Sequence, residues 1–285
     1  MAIHTDISET SETSEVAAIT STGWAICYAH RGARGHAPEN TLLAFDLAFD
    51  LGADAIECDV QRSADGQLVI IHDGALNRTT NGRGLVSAQS FAALRALDAS
   101  RAYRPYRLSG ARRIVAQIPT LDETLALVRR RGGALNLEIK GESVEESVAT
   151  AETVAPVLRA LPDDDPLRER LLVSSFEHPA VRLLKERLPW LRVAALFSGR
   201  EWRPETMLAT ARELGAEAIH PGVNLTSAAL IRQAHEQGLR VNIWTANSPS
   251  TIRQLLLWGA NGLFSDYPER VIIERAWLAW RQTGE

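Results

Sequence analysis

Lysine is nearly missing from this chain. Lys140 and Lys185 are its two, so twenty-nine of the thirty-one basic residues are arginine. A single arginine therefore carries little information, whereas a lysine at a strand end carries more. Cysteine is as scarce: Cys27 and Cys58 stand alone. Two are too few for a disulfide framework, and nothing marks an oxidising compartment. Both suit small buried hydrophobes facing a helix layer. Charge of one sign is not in excess either. A net charge of −4 over 285 residues leaves no basic footprint for nucleic acid. Any anion must be held by local positive charge. No apolar run approaches the ~20 residues of a membrane span, so no stable membrane insertion is expected. Residues 1–22, rich in Ser, Thr and Glu, lack the basic start and apolar core of a secretory signal. They are expected to form a disordered polar tail ahead of one catalytic domain over 23–285, in a cytoplasmic protein. The composition does not indicate an oligomeric state.

What is present is periodic. An apolar run over 24–29 ends in His30 and predicts a buried strand. A helix over 42–51 follows, stopped by Gly52, and then a strand over 55–60. That order makes a right-handed crossover. Next, Asp65-Gly66 signals a turn, and an apolar run over 67–71 follows at once. So short a link requires a hairpin. A turn centred on Asp65-Gly66 sets Asp59 opposite His72, and a register slipped by one still lands His72 near the carboxylates. Residues 74–118 are irregular, with one short helix over 90–97, and predict a functional insertion. Helices over 121–131, 143–161, 179–188, 204–214, 227–237, 249–258 and 268–281 then alternate with strands over 134–140, 171–176, 192–197, 218–220, 239–244 and 262–265. Leaving out the hairpin arm, eight strands alternate with helices. The fold class is α/β, a TIM (β/α)8 barrel with an insertion after the second strand. A doubly wound sheet is the rival, but no Gly-rich dinucleotide fingerprint follows the first strand.

In such a barrel the C-terminal strand ends form the active rim. His30 ends the first strand, Glu57 and Asp59 the second, Glu138 and Lys140 the third. Spacing by two puts each pair on one strand face. Three inward carboxylates cannot be apolar core. A hard divalent cation, Mg²⁺ or Ca²⁺, resolves the conflict. Simple pairing of these acids with Arg31 and Lys140 is the alternative. Taken singly, His30 could be a satisfied core histidine, Arg31 a salt-bridged loop residue and His72 a chance neighbour of Asp73. Their joint placement points to metal-assisted chemistry on a phosphate. Trp244, at another strand end, either walls a pocket or packs in the core. Asn40 is expected to cap the helix over 42–51, a place from which it can also touch the site; His220 ends a strand, either at the rim or in the core; Phe176 is expected to pack beneath the mouth. His36, His178 and His235 fall on surface or loop positions.

The runs His30-Arg31-Gly32, Glu39-Asn40-Thr41, Glu57-x-Asp59 and His72-Asp73 together resemble the signature of the glycerophosphodiester phosphodiesterase family. Glu138-Ile139-Lys140, Ser174-Ser175-Phe176, Trp244-Thr245 and Ser265-Asp266-Tyr267 continue it in order, so the resemblance spans about 28–268. It implies a TIM barrel that hydrolyses glycerophosphodiesters to sn-glycerol 3-phosphate and an alcohol with a divalent cation. It implies Glu57, Asp59 and Glu138 as metal ligands, His30 and His72 as base and acid, and Arg31 and Lys140 as phosphate contacts. It further implies attack by the substrate's 2-hydroxyl through a cyclic phosphate, as in phosphatidylinositol-specific phospholipases C. The sequence leaves open which histidine is the acid, which cation is native and which alcohol is preferred. A phosphodiesterase for lysophospholipids or phosphoinositides is one rival, though the insertion has few large apolar residues for a lipid groove. A non-catalytic sugar-phosphate binder is the other, though none of the motif residues is missing.

Overall fold

The computed structural model describes residues 24–103 and 115–283. The polar tail over 1–22 and the middle of the insertion lie outside the described residues. Among the described residues nine strands run in chain order: β1 Ile26–Ala29, β2 Ala55–Arg62, β3 Leu68–Ile70, β4 Ala134–Ile139, β5 Leu171–Ser175, β6 Arg192–Phe197, β7 Ala218–Pro221, β8 Arg240–Ile243 and β9 Gly262–Ser265. The order in the sheet is β1-β9-β8-β7-β6-β5-β4-β2-β3, and β1 also pairs with β2, which closes the ring. All pairings are parallel except that of β2 with β3. Eight parallel strands thus form the TIM barrel, and β3 is an antiparallel arm outside it.

The strands close because both faces are apolar where burial demands it. The outward face, with Cys27, Cys58, Val60 and Leu137, packs against the helices in one continuous core. Both cysteines are free and buried there. The inward face is filled near its base by Ile26, Tyr28, Ala55, Ala134 and Phe264, with Leu172, Ala194 and Ala218 opposite. Tyr28 and Phe264 stack at 4.6 Å. Helix starts are fixed by side chains that satisfy orphan N–H groups. Thr120 and Glu123 form a capping box, and Ser143, Ser227 and Ser248 each accept from the third helical N–H. The C-terminal helix, Pro268–Thr283, closes the barrel base through Arg275, which donates to the Ala25 carbonyl at 3.1 Å and pairs with Asp54.

Three local features differ from the sequence expectation. The β2–β3 ladder pairs Val60 with Ile70, so Asp59 lies opposite Ile71, not His72. The cause is the turn. Ser63 N–H donates to Gln67 O at 2.9 Å, which leaves Ala64, Asp65 and Gly66 in a three-residue loop with Gly66 at φ 82°. A left-handed third residue is what this loop length requires, and it shifts the register by one. The helix Leu42–Asp50 is capped by Thr41, whose side chain accepts from Ala44 N–H, and not by Asn40. Asn40 sits one residue earlier at φ 54°, a conformation that asparagine tolerates. A short helix, Leu167–Arg170, also precedes β5, where a plain loop was expected.

The described parts of the insertion have their own small core. Leu76, Val86, Leu94, Ala99 and Ile118 pack on Val69 and Ile71 of the hairpin arm. The insertion therefore rides on the same arm that delivers His72.

Gly32 sits where the chain leaves β1 for the loop that ends at Thr41. Its φ is 77°, and an added Cβ would lie 2.7 Å from the Ala44 backbone. Gly32→Ala is expected to destabilise the fold by about 2–4 kcal/mol, from strained backbone and overpacking together. A lowered urea midpoint at unchanged slope is the expected result; an unchanged midpoint would show that the loop gives way freely.

Candidate active site

The barrel register assembles the acids. Asp59 pairs with Glu138 and Glu57 with Asn136 across β2 and β4. Asp59 and Glu138 therefore share one level of the barrel interior, and Glu57 lies one level deeper. Each of the three offers an oxygen within 4.8 Å of the others, and all three residues are buried. Glu57 Oε1, Asp59 Oδ1 and Glu138 Oε1 have no hydrogen-bond partner. Asp59 Oδ1 and Glu138 Oε1 meet only the Lys140 ammonium as an ion pair, at 3.3 Å for Asp59. Three buried carboxylates clustered this closely, with one ammonium shared between two of them, fit a hard divalent cation.

Electrostatics agree with that reading. Burial pushes the Glu57 and Glu138 carboxyls up, and their acidic neighbours add to it. Burial acts the same way on Asp59, but Lys140 and Arg31 outweigh it and hold that carboxyl well below the usual range. The site as folded has more negative charge than its own cations neutralise, which an ion would relieve. The simple-pairing alternative accounts for Asp59 but, among the described residues, leaves Glu57 without a cationic side chain in ion-pair reach. Glu57 Oε2 instead accepts the Arg31 backbone N–H at 2.7 Å. Arg31 reaches that position because its φ is 55°.

The remaining wall is cationic and imidazole on one side and apolar on the other. A cavity of about 270 Å³ opens at the C-terminal end of the barrel. His30, Arg31, Glu57, His72, Glu138 and Lys140 line one half, and Phe176, Leu196, Trp244 and Phe264 line the other. Trp244 donates its indole N–H to the His220 carbonyl at 2.8 Å, which fixes the ring against the Phe176 edge. Such a cavity suits a small polyol phosphate, its anionic end toward the cations and its carbon skeleton against the rings.

Each histidine is anchored by a carboxylate. His30 Nδ1 lies 2.7 Å from Asp266 Oδ1, and Asn247 donates to Asp266 Oδ2 at 2.9 Å. His72 Nδ1 lies 2.6 Å from Asp73 Oδ1. Gln61 donates to the His72 carbonyl at 2.9 Å, which holds His72 at the rim although it lies beyond the β3 ladder. A carboxylate on Nδ1 fixes the proton there and leaves Nε2 for the cavity. Burial lowers the proton affinity of both rings, while Asp266 works against it at His30 and Asp59 does so at His72.

All eight residues singled out from the sequence, His30, Arg31, Glu57, Asp59, His72, Glu138, Lys140 and Trp244, meet here. Asp59 lies just beneath the lining, its Oδ2 accepting the Asn40 amide at 2.8 Å. Asp266, Asn247 and Glu39 were given no role from the sequence, whereas Asn40 touches the site as its place allowed. The Ser265-Asp266-Tyr267 run pointed to Asp266 without giving it a role. His220 is not on the rim. It is fully buried below the cavity, paired with the Asn242 amide, and burial holds its pKa at about 3. His178 is half-buried, with Nε2 at 3.1 Å from the Leu196 carbonyl.

The same stretch of chain carries the likeness to known proteins. The profile of the glycerophosphoryl diester phosphodiesterase family matches residues 30–270, from the first rim histidine to just past Asp266. A glycerophosphodiester phosphodiesterase of Bacillus altitudinis is 35% identical over 250 residues, 86% of this chain and 96% of that one. The Oleispira antarctica phosphodiesterase, solved with the product sn-glycerol-3-phosphate, superposes with a TM-score of 0.76 at 30% identity, covering 90% of this chain and 98% of its own. The Agrobacterium tumefaciens glycerophosphodiester phosphodiesterase does so with a TM-score of 0.71 at 27% identity, covering 87% and 99%. With the barrel, the acidic cluster and the two anchored histidines all inside the matched span, the chain belongs to the glycerophosphoryl diester phosphodiesterase family and is an enzyme of that activity.

Proposed function

We propose that the enzyme hydrolyses glycerophosphodiesters to sn-glycerol 3-phosphate and an alcohol by proton transfer between His30 and His72, with one Mg²⁺ or Ca²⁺ held by Glu57, Asp59 and Glu138. The observation that carries this is the cluster of three buried carboxylates, each with an oxygen within 4.8 Å of the others, beside the cavity that His30 and His72 line. A bound cation would neutralise charge on a phosphate oxygen and orient the glycerol hydroxyls. Arg31 and Lys140 would hold the other phosphate oxygens, and Trp244 would wall the glycerol carbons.

Among the described residues no serine, threonine or cysteine lines the cavity apart from Thr245, so the substrate's own 2-hydroxyl is the economical nucleophile. His30 Nε2 takes the proton from that hydroxyl as its oxygen bonds to phosphorus. His72 Nε2 gives a proton to the alkoxide as the bond from phosphorus to the head-group oxygen breaks. The products of this step are the head-group alcohol and the sn-2,3-cyclic phosphate of glycerol. Water then opens the ring with the two proton roles reversed, giving sn-glycerol 3-phosphate. A bound phosphodiester brings negative charge to both rings and raises their proton affinity, which helps His72 carry its proton near neutrality. The product seen in the Oleispira antarctica structure supports the choice of substrate class.

A 2-deoxy glycerophosphodiester tests the route. It keeps the phosphodiester and should inhibit competitively while turning over at least ~10³-fold more slowly, the scale of an intramolecular nucleophile lost. Hydrolysis at a normal rate would favour direct attack by water. The same assay, run with several head groups and a lysophospholipid, ranks the leaving alcohols.

A further inference from the structure

We propose that Arg78, in the insertion, is a positioning residue that sets His72 through Asp73 and Arg31 through Glu39. The inference rests on the roles given above to His72 and Arg31.

Arg78 makes a four-bond clamp. Its Nε donates to Asp73 Oδ2 at 2.5 Å and its Nη2 to Asp73 Oδ1 at 2.9 Å. Its Nη1 donates to Glu39 Oε2 and its Nη2 to Glu39 Oε1, both at 2.8 Å. Both oxygens of both carboxylates are engaged by one planar guanidinium. Each carboxylate then reaches inward. Asp73 Oδ1 holds His72 Nδ1 at 2.6 Å, and Glu39 Oε1 accepts from Arg31 Nη1 at 3.0 Å. Both acids are kept at about 2: burial acts the other way at each, and is outweighed by the Arg78 hydrogen bonds and charge together with Arg31 and Arg34 at Glu39 and with His72 at Asp73.

The clamp is anchored behind as well as in front. Arg78 sits on a turn closed by Thr80, whose N–H and hydroxyl both donate to the Leu76 carbonyl, at 3.1 and 2.7 Å. Leu76 is buried in the small core of the insertion. A continuous path therefore runs from the insertion core to an imidazole and a guanidinium on the cavity wall. Arg78 is absent from the cavity lining, so it acts through the residues it holds. Lysine cannot replace it, because a point ammonium lacks the fork that satisfies two carboxylates in one plane. Elsewhere, residues that orient a ligating or proton-transferring side chain are worth ~10–100-fold in activity.

The test uses the full chain with its cation supplied. The variants are Arg78→Ala, Arg78→Lys, Asp73→Asn and the Arg78→Ala/Asp73→Asn pair, with His72→Ala as control. Each is assayed on a glycerophosphodiester with an alkyl alcohol and on its p-nitrophenyl counterpart. Arg78→Ala is expected to lower kcat ~10-fold or more on the alkyl substrate and much less on the p-nitrophenyl one, because a good leaving group needs little protonation. Arg78→Lys should recover only part of the loss. The double variant should be no worse than the worse single, since both act on His72. Inhibition by sn-glycerol 3-phosphate should weaken several-fold in Arg78→Ala through the Arg31 limb. Equal losses on both substrates together with additive single losses would overturn the His72 limb, and unchanged inhibition the Arg31 limb. If His72→Ala itself shows no leaving-group dependence, its assignment as acid has failed. The additivity between Arg78 and Asp73 then decides the proposal alone, because it does not depend on which histidine is the acid.

Discussion

His30→Ala and His72→Ala are each expected to lower kcat by at least ~10²-fold, the ordinary scale for a positioned acid or base. The double variant should be scarcely slower than the slower single, because neither proton transfer is useful without the other. Neither ring supports the barrel: both sit at its rim, and each is held by a carboxylate, Asp266 for His30 and Asp73 for His72. Both single variants should therefore fold normally. The two separate on a p-nitrophenyl substrate. His72→Ala should be partly rescued there, since the leaving group departs without a proton, and His30→Ala should not. Rescue of His30→Ala instead would exchange the two roles. Near-normal turnover in either variant would return that histidine to a structural role.

Removal of the cation is expected to have the larger effect. Excess chelator should reduce turnover on the order of 10³-fold or more, since it takes away the main charge opposing the phosphate and its developing negative oxygens. Mg²⁺ or Ca²⁺ should restore it. Glu57→Gln should raise the cation concentration needed for half-maximal rate, because it replaces the carboxylate that no cationic side chain among the described residues meets as an ion pair. Lys140 and Arg31 already balance Asp59 in part, so Asp59→Asn tests the other limb: it should weaken cation binding and also loosen Lys140. Full activity in excess chelator would sink the metal assignment, whatever the variants did.

The residues that made the site legible are those whose position follows from strand geometry. Glu57 and Asp59, two apart on one strand, had to share a face, and so did Glu138 and Lys140 on the next barrel strand. Parallel pairing then brought Asp59 beside Glu138. His30 was legible because an apolar strand ended on it. The residues that were not legible are set by contacts between distant parts of the chain. Asp266 meets His30 from 236 residues away, and no spacing rule connects them. Asn40 has the right chemistry for a helix cap, but Thr41 beside it is equally suited. Only the close approach of the loop to β2 shows that the Asn40 amide serves Asp59. Arg78 was hidden by composition, since one arginine among twenty-nine carries no signal, and Glu39 stood in the Glu39-Asn40-Thr41 run without a role. The hairpin register failed by one residue because Asp65-Gly66 is the signature of a two-residue turn, while the Ser63–Gln67 pair closes a three-residue one. His72 still reaches the cavity, because the Gln61 amide and Asp73, and not the ladder, fix its place.

The most direct test of the central claim is crystallographic. Crystals grown with Ca²⁺, or with Mn²⁺ for its anomalous signal, should show one strong anomalous peak among the rim carboxylates. For Ca²⁺, one oxygen each of Glu57, Asp59 and Glu138 should lie at about 2.3–2.6 Å from the peak. The Lys140 ammonium should have drawn back from Asp59 and Glu138 to leave room for it. Absence of a peak there, with Lys140 still seated between the two acids at saturating cation, would contradict the account.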